Sequence, residues 1–173
     1  KKEIREVKFN NVSIDELLDM TVDSAITFFE KFQVKKIVKR LKPLQDVGLG
    51  YVTLGQSSTT LSGGEAQRIK LASFISQGNT KEKVLFIFDE PTTGLHFHDI
   101  KKLITSFNAL IDQGHSIVVV EHNLELIKCA DHLIDLGPEA GDKGGYLVGQ
   151  GTPEQIISIK ESYTGRYLAK KLA

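Results

Sequence analysis

The run Val84-Leu85-Phe86-Ile87-Phe88 has no polar residue and no alternation. It constrains the fold more than any other stretch, because a short unbroken apolar run fits a strand buried on both faces, as in a parallel sheet. It breaks off at Asp89-Glu90, and Pro91 then withdraws a donor from the ladder. A second apolar run, Ser116-Ile117-Val118-Val119-Val120, follows downstream. Between them, residues 99–113 place Ile100, Leu103, Ile104, Phe107, Leu110 and Ile111 on one helical stripe, with Gly114 as a stop. Strand, helix and strand make a right-handed βαβ unit. The expected class is α/β, a parallel sheet flanked by helices.

Ligands of open parallel sheets sit beyond the carboxyl ends of the strands. Asp89 and Glu90 stand at such an end, and successive side chains point opposite ways, so the two carboxylates need not share one task. One suits Mg²⁺, a hard ion that takes few carboxylates and keeps waters. The other suits orienting an attacking water. The plainer alternative is a strand ending in a polar turn.

Ser62-Gly63-Gly64-Glu65 opens a helix. Ser at the N-cap with Glu at N3 is a capping box, which alone says only that the helix starts well. The paired glycines weaken a helix, permit close approach to the backbone and leave N–H groups open to an anion. The carboxylate strand that follows gives weight to a phosphate-binding reading. His122, just after the second strand, is expected on the same sheet edge as Glu90, where it suits a terminal phosphate; a structural role is the alternative.

These residues together resemble the ABC-type ATPase family. Ser62-Gly63-Gly64-Glu65-Ala66-Gln67 is similar to its signature loop, residues 84–90 to its Walker B strand and His122 to its switch histidine. The resemblance narrows to the excinuclease ABC branch, the damage-recognition ATPases of bacterial nucleotide excision repair, and to the C-terminal portion of such a protein. It is carried by Thr59-Thr60-Leu61-Ser62-Gly63-Gly64-Glu65-Ala66-Gln67-Arg68, by Asp89-Glu90-Pro91-Thr92-Thr93-Gly94-Leu95-His96-Phe97 and by Glu121-His122-Asn123-Leu124. It extends back to Asp19-Met20-Thr21 and Val47-Gly48-Leu49-Gly50-Tyr51 and forward to Asp135-Leu136-Gly137-Pro138-Glu139 and to residues 162–168. His96 stands where many ABC ATPases carry Asp, as it does in this branch.

The resemblance implies an ABC-type ATPase using ATP and Mg²⁺. Asp89 would serve the metal, Glu90 would be the general base, and His122 would contact the γ-phosphate. Ser62, Gly63, Gly64, Glu65 and Gln67 would bind nucleotide held by a second ATPase unit across a nucleotide-sandwich interface, in a homodimer. It further implies DNA excision and the SOS response, with DNA and the other excinuclease components as partners, in the cytoplasm and away from membranes. No Gly-x-x-x-x-Gly-Lys-Ser/Thr occurs in the chain, and that loop cradles the phosphates. The chain is therefore expected to lack the Walker A segment, to begin inside a longer protein and to be inactive alone. Residues 1–60 would lead into the signature, and 61–173 would hold the signature, Walker B and switch histidine. The alternatives are the nucleotide-binding part of an ABC transporter and a non-enzymatic interaction domain.

Bulk composition is that of a globular chain, with 22 Lys+Arg against 22 Asp+Glu, so any nucleic-acid contact must rest on a local basic patch. Residues 34–44 supply one candidate. Val34, Ile37, Val38 and Leu41 form an apolar stripe, and Lys35, Lys36, Lys39, Arg40 and Lys42 occupy the other face. That face reads either as a solvated surface or as a contact for DNA phosphates. The lone Cys129 excludes an internal disulfide and a cysteine-based zinc module. The zinc modules of the resembled branch would lie upstream. Cys129 itself reads as a buried, inert thiol, and His96 and His98 as loop residues without a third ligand.

Elsewhere, residues 1–12 read as a strand or connector and residues 13–18 as a short helix boxed by Ser13 and Glu16. Residues 19–32 read as a helix with Val22, Ile26 and Phe29 inward. Residues 46–60 read as a loop in which Gln56-Ser57-Ser58 suit either nucleotide or backbone contact. The signature helix, 61–77, has a small-residue face from Ala66, Ile69, Ala72, Ser73 and Ile75/Ser76, and Gly78-Asn79-Thr80 would end it. Asn123 caps a helix to about Ala130. Residues 132–136 and 146–150 read as antiparallel strands. Thr152-Pro153-Glu154-Gln155 starts a boxed helix, and 163–172 is a basic-ended helical tail.

Overall fold

The computed structural model describes residues 6–77, 82–139, 141 and 144–172. The chain forms two compact units, Lys1–Val120 and Glu121–Ala173.

The first unit opens with a hairpin of β1 (Lys8–Phe9) and β2 (Val12–Ser13). Asn10 and Asn11 take φ of 47° and 67°, and asparagine tolerates the left-handed region that a tight hairpin turn requires. Ser13 then caps α1 (Ile14–Asp19), with Glu16 returning the bond to complete the expected box. Helix α2 (Val22–Lys31) starts only after Thr21, whose side chain accepts from the Ser24 N–H. It buries Val22, Ala25, Ile26 and Phe29. Phe9, Phe28, Phe29 and Phe32 pack as an aromatic cluster. Helix α3 (Lys35–Asp46) buries only Pro43 within its span. A connector follows whose Ser57 caps a single 3₁₀ turn, Ser58–Thr60, so the expected loop holds one helical turn and Ser57 serves the backbone.

Helix α4 (Gly63–Gln77), β3 (Leu85–Asp89), α5 (Phe97–Asp112) and β4 (Ser116–Val120) complete the unit. Residues 78–80, the expected stop of α4, lie outside the described residues. Strands β3 and β4 are parallel, in register from Leu85↔Ser116 to Asp89↔Val120, as the βαβ reading requires. Helix α5 buries Ile100, Leu103, Phe107 and Leu110. Phe88 packs on Phe107 with ring centroids 4.9 Å apart, and Phe86 on Phe74 at 4.8 Å. The opposite face of the sheet departs from expectation. Leu85, Ile87, Val118 and Val120 are exposed there, Ile87 to 70%. In-register residues share a face, so Asp89 ends this same uncovered row. The strands have the composition of a sheet covered twice, and the described residues cover one side.

The second unit contains α6 (Leu124–Ile127), β5 (Leu133–Gly137), β6 (Tyr146–Gly151), α7 (Pro153–Ile157) and α8 (Tyr163–Leu172). Asn123 caps α6 through its Oδ1, and α7 carries the Thr152/Gln155 box. Strands β5 and β6 are antiparallel. The Asp135 carboxylate accepts from the Ser162 and Thr164 hydroxyls at 2.5 and 2.9 Å, tying the start of α8 to β5. Lys171 reaches Glu125 at 2.7 Å and ties its end to α6. Helix α6 is a single turn, so Cys129 falls beyond it and is exposed, which corrects the buried assignment. Among the described residues, no helix is long and apolar enough to cross a membrane.

The α5 stripe gives a stability contrast. Leu103 is 0% exposed and Ile111 41%. Leu103→Ala should cost about 2–5 kcal/mol, and Ile111→Ala less than about 1 kcal/mol, measured by urea unfolding followed by circular dichroism.

Candidate functional site

The site grows from the first turn of α4. The Ser62 N–H donates to Glu65 Oε2 at 2.7 Å, and the Glu65 N–H donates to Ser62 Oγ at 3.3 Å, which is the capping box read from the sequence. The two glycines behave differently. A Cβ on Gly63 would meet nothing within 4 Å. A Cβ on Gly64 would sit 3.2 Å from the Glu90 carbonyl oxygen, 3.3 Å from Arg68 Nη1 and 3.4 Å from the Thr93 carbonyl oxygen. Gly64 is thus the residue that lets α4 press against the end of β3.

Three side chains of α4 fix that contact. The Gln67 amide forks onto Asp89, donating from Nε2 to the Asp89 carbonyl at 2.9 Å and accepting the Asp89 N–H at Oε1 at 3.1 Å. Arg68 is 0% exposed. Its Nη1 donates to the carbonyls of Pro91 and Thr93, and its Nη2 donates to the Tyr51 hydroxyl at 3.4 Å. The Tyr51 hydroxyl donates in turn to Glu65 Oε1 at 2.6 Å. Burial pulls the Arg68 pKa below its ordinary value. The bond from Tyr51, then that from the Ser62 backbone, holds the Glu65 carboxyl below the usual range. Burial, then the bond to Glu65, pushes the Tyr51 phenol up.

Asp89 is the last residue of β3 and is exposed. Among the described residues no hydrogen bond or ion pair engages its carboxylate, so an oxygen donor suited to a hard divalent cation faces outward. Glu90 leaves the strand with φ of 47°. A left-handed conformation at a non-glycine residue costs on the order of 1–3 kcal/mol and persists only where its surroundings impose it. Here the Glu90 N–H donates to the Val120 carbonyl at 2.9 Å, and the Glu90 carbonyl accepts from the Thr93 N–H at 3.1 Å. Gly64 packs on that same carbonyl. The turn ends at His96, the N-cap of α5, and His98 lies within that helix.

Ser62, Gly63, Gly64, Glu65, Gln67, Asp89 and Glu90 therefore gather in the first unit. His122 stands in the second unit, exposed, with its N–H donating to Glu121 Oε2 at 2.9 Å. There it lines a cleft of about 280 Å³ with Leu124, Ile127, Tyr163 and Tyr167. Sequence reasoning missed Arg68, Tyr51 and His115. Buried His115 accepts the Val84 N–H at Nδ1 at 3.2 Å and packs edge-on to Phe74 and Phe86. The buried row of α4 is Gly64, Arg68, Leu71 and Ala72, not the expected small-residue face. An arginine on that row erases the apolar period, and only its place beside the glycine pair marks it.

A parallel βαβ unit whose carboxylate-tipped strand abuts a glycine-started helix is the arrangement of the ABC-type ATPase fold. A bacterial Atm1-family ABC exporter, solved with ATP bound, superposes with a TM-score of 0.51 at 19% identity, covering 91% of this chain and 27% of that one; this likeness concerns the fold alone. UvrA2 from Deinococcus radiodurans superposes with a TM-score of 0.80 at 40% identity, covering 98% of this chain and 20% of that one. UvrABC system protein A of Clostridium perfringens is 54% identical over 171 residues, 99% of this chain. The homologue from Clostridium acetobutylicum is 56% identical over 171 residues, and that from Bacillus subtilis 54% over 167. No family model matches. The chain belongs to the UvrABC system protein A family as a region of it, spanning about 18% of the length of the curated relatives it matches. The transporter alternative is not favoured.

The Glu65 contacts carry a pH signature. A carboxyl depressed in the folded state adds stability above its unfolded pKa, and that contribution is lost as pH falls through the folded value. Wild type should thus lose more stability than Glu65→Gln when the urea midpoint is followed from about pH 7 down to pH 3.

Proposed function

We propose that this chain is the signature-helix and carboxylate-strand part of an ATP-hydrolysing, DNA damage-recognition component of an excision-repair complex. The observation that carries the reading is the end of β3, where Asp89 and Glu90 stand at the sheet edge with their backbone held by Gln67 and Gly64. Asp89 would hold Mg²⁺, directly or through water, and the ion when bound would neutralise phosphate charge. Glu90 takes the proton of the attacking water. His122 hydrogen-bonds the γ-phosphate. Ser62 and Gly63 face outward to nucleotide held by a second ATPase unit, and Gly64, Glu65 and Gln67 shape that surface from behind.

The protein would act as a homodimer in the cytoplasm, with DNA and the other excinuclease components. The isolated chain, having no Gly-x-x-x-x-Gly-Lys-Ser/Thr, would turn over no ATP. In the full-length protein, Glu90→Gln should retain nucleotide binding and lose on the order of 10²–10⁴ in rate, whereas Asp89→Asn should weaken Mg²⁺-dependent ATP affinity. Binding with and without Mg²⁺ and single-turnover hydrolysis separate the two. Near-normal turnover of Glu90→Gln would exclude its assigned role.

Helix α3 supports the DNA partner. Lys35, Lys36, Lys39, Arg40 and Lys42 are all exposed. Lys35/Lys39 and Lys36/Arg40 are like-charge i,i+4 pairs, which destabilise a helix, and no acidic residue lies in its first turn. Among the described residues none of the five forms an ion pair, although Glu30 and Asp46 line the adjoining cleft. A helix that repels itself gains from a polyanion. Changing Lys35, Lys36, Lys39 and Arg40 together to Gln in the full-length protein should reduce the slope of log affinity for DNA against log salt by about two or more. An unchanged slope would return α3 to a solvated surface.

A further inference from the structure

We infer that the residues joining α4 to the turn after β3 couple the signature segment to the Glu90 carboxylate of the same chain, with Tyr51 and Gln67 as positioning residues. The inference rests on the reading just given, in which the signature serves nucleotide held by another unit and Glu90 serves its own.

Two bonded paths make the connection. One runs from the Ser62 N–H to Glu65, from Glu65 to the Tyr51 hydroxyl, from that hydroxyl to Arg68, and from Arg68 to the carbonyls of Pro91 and Thr93. The other is the Gln67 fork onto the Asp89 backbone. Gly64 closes the gap between them, with its Cβ direction 3.2 Å from the Glu90 carbonyl oxygen. The absence of a Cβ lets the first turn of α4 lie this close to Glu90, and the two bonded paths tie a shift of that turn to the Asp89 backbone and to the Pro91 and Thr93 carbonyls. Glu90 is also the residue in this turn with a non-glycine left-handed backbone, a conformation its neighbours must enforce. Closure of the signature on one unit's nucleotide would therefore set the general base at the other. Two sites joined in this way share a coupling free energy and bind cooperatively.

The test uses the full-length protein with Tyr51→Phe, Gln67→Glu and, as reference, Glu90→Gln. Tyr51 is 43% exposed, and Tyr51→Phe deletes only the hydroxyl that joins Glu65 to Arg68. Gln67→Glu sets a carboxylate oxygen against the Asp89 carbonyl. ATP affinity, kcat, the Hill coefficient of hydrolysis and the thermal midpoint are measured for each. Wild type should hydrolyse ATP with a Hill coefficient above 1, and both positioning variants should bring it to about 1. They should also lower kcat about 10-fold or more, since small misplacements of a catalytic group are costly, with the affinity for the first ATP nearly unchanged and that for the second weakened. A purely structural role would lower the thermal midpoint and leave kcat per folded molecule and the Hill coefficient at wild-type values, which overturns the inference. If Gln67→Glu fails to fold, Tyr51→Phe decides alone. If Glu90→Gln keeps turnover, the functional reading itself fails. If it loses turnover while Tyr51→Phe matches wild type, only the coupling fails.

Discussion

The buried guanidinium of Arg68 is the interaction on which the site depends. Removing a charge from water is expensive unless hydrogen bonds replace the lost solvation. Here the replacements are main-chain carbonyls of Pro91 and Thr93 and the Tyr51 hydroxyl, while Nε stays buried without a partner. Carbonyls used in this way fix the backbone that bears them. The turn after β3 is consequently a braced segment, and the left-handed Glu90 within it is held by bonds on both sides. The close approach also dictates Gly64, since any Cβ there would crowd both the guanidinium and the Glu90 carbonyl.

What was legible in the sequence follows from how local each feature is. The caps at Ser13, Ser62, Asn123 and Thr152 depend on side chains within three residues of the bond they make, and all four form. The α5 stripe has the helical period and packs accordingly. The β1–β2 turn was missed because Asn-Asn signals a hairpin only weakly and its strands are two residues each. The buried row of α4 was missed for a different reason. Its central member is an arginine whose partners lie in a turn more than twenty residues downstream, and hydropathy carries no record of a carbonyl that will be waiting there. Cys129 was misplaced because burial was inferred from residue type, while the end of a one-turn helix set its exposure.

The uncovered sheet face shows the difference between what a strand's composition suits and what its surroundings supply. Leu85, Ile87, Val118 and Val120 are residues of a strand pair built for two covered faces, and among the described residues one is covered. Asp89 closes the same row, so the carboxylate assigned to the cation borders the uncovered side, while Glu90 lies past the end of the strand with a positive φ. Adjacent carboxylates thereby stand on backbones of different conformation, one at the end of the strand and one in the turn. That is the physical basis for assigning them different tasks, and it is a stronger one than strand alternation, because Glu90 already lies outside the strand.

The same separation runs through the signature segment. Gly63 lies on the side of α4 where an added Cβ would meet open space, and Gly64, Gln67 and Arg68 face the end of β3. Adjacent glycines thus stand in opposite settings: one leaves the helix start bare, and the other lets it lie close to the end of β3. Glu65 belongs to both sets, since one carboxylate oxygen caps Ser62 and the other takes the Tyr51 hydroxyl that leads to Arg68. A motif that reads in sequence as a single phosphate-binding loop is, in the folded chain, an outward surface and an inward brace sharing one turn of helix. Whatever engages the surface is then felt by the brace, because Glu65 cannot change its bond to Ser62 without disturbing the oxygen it shares with Tyr51.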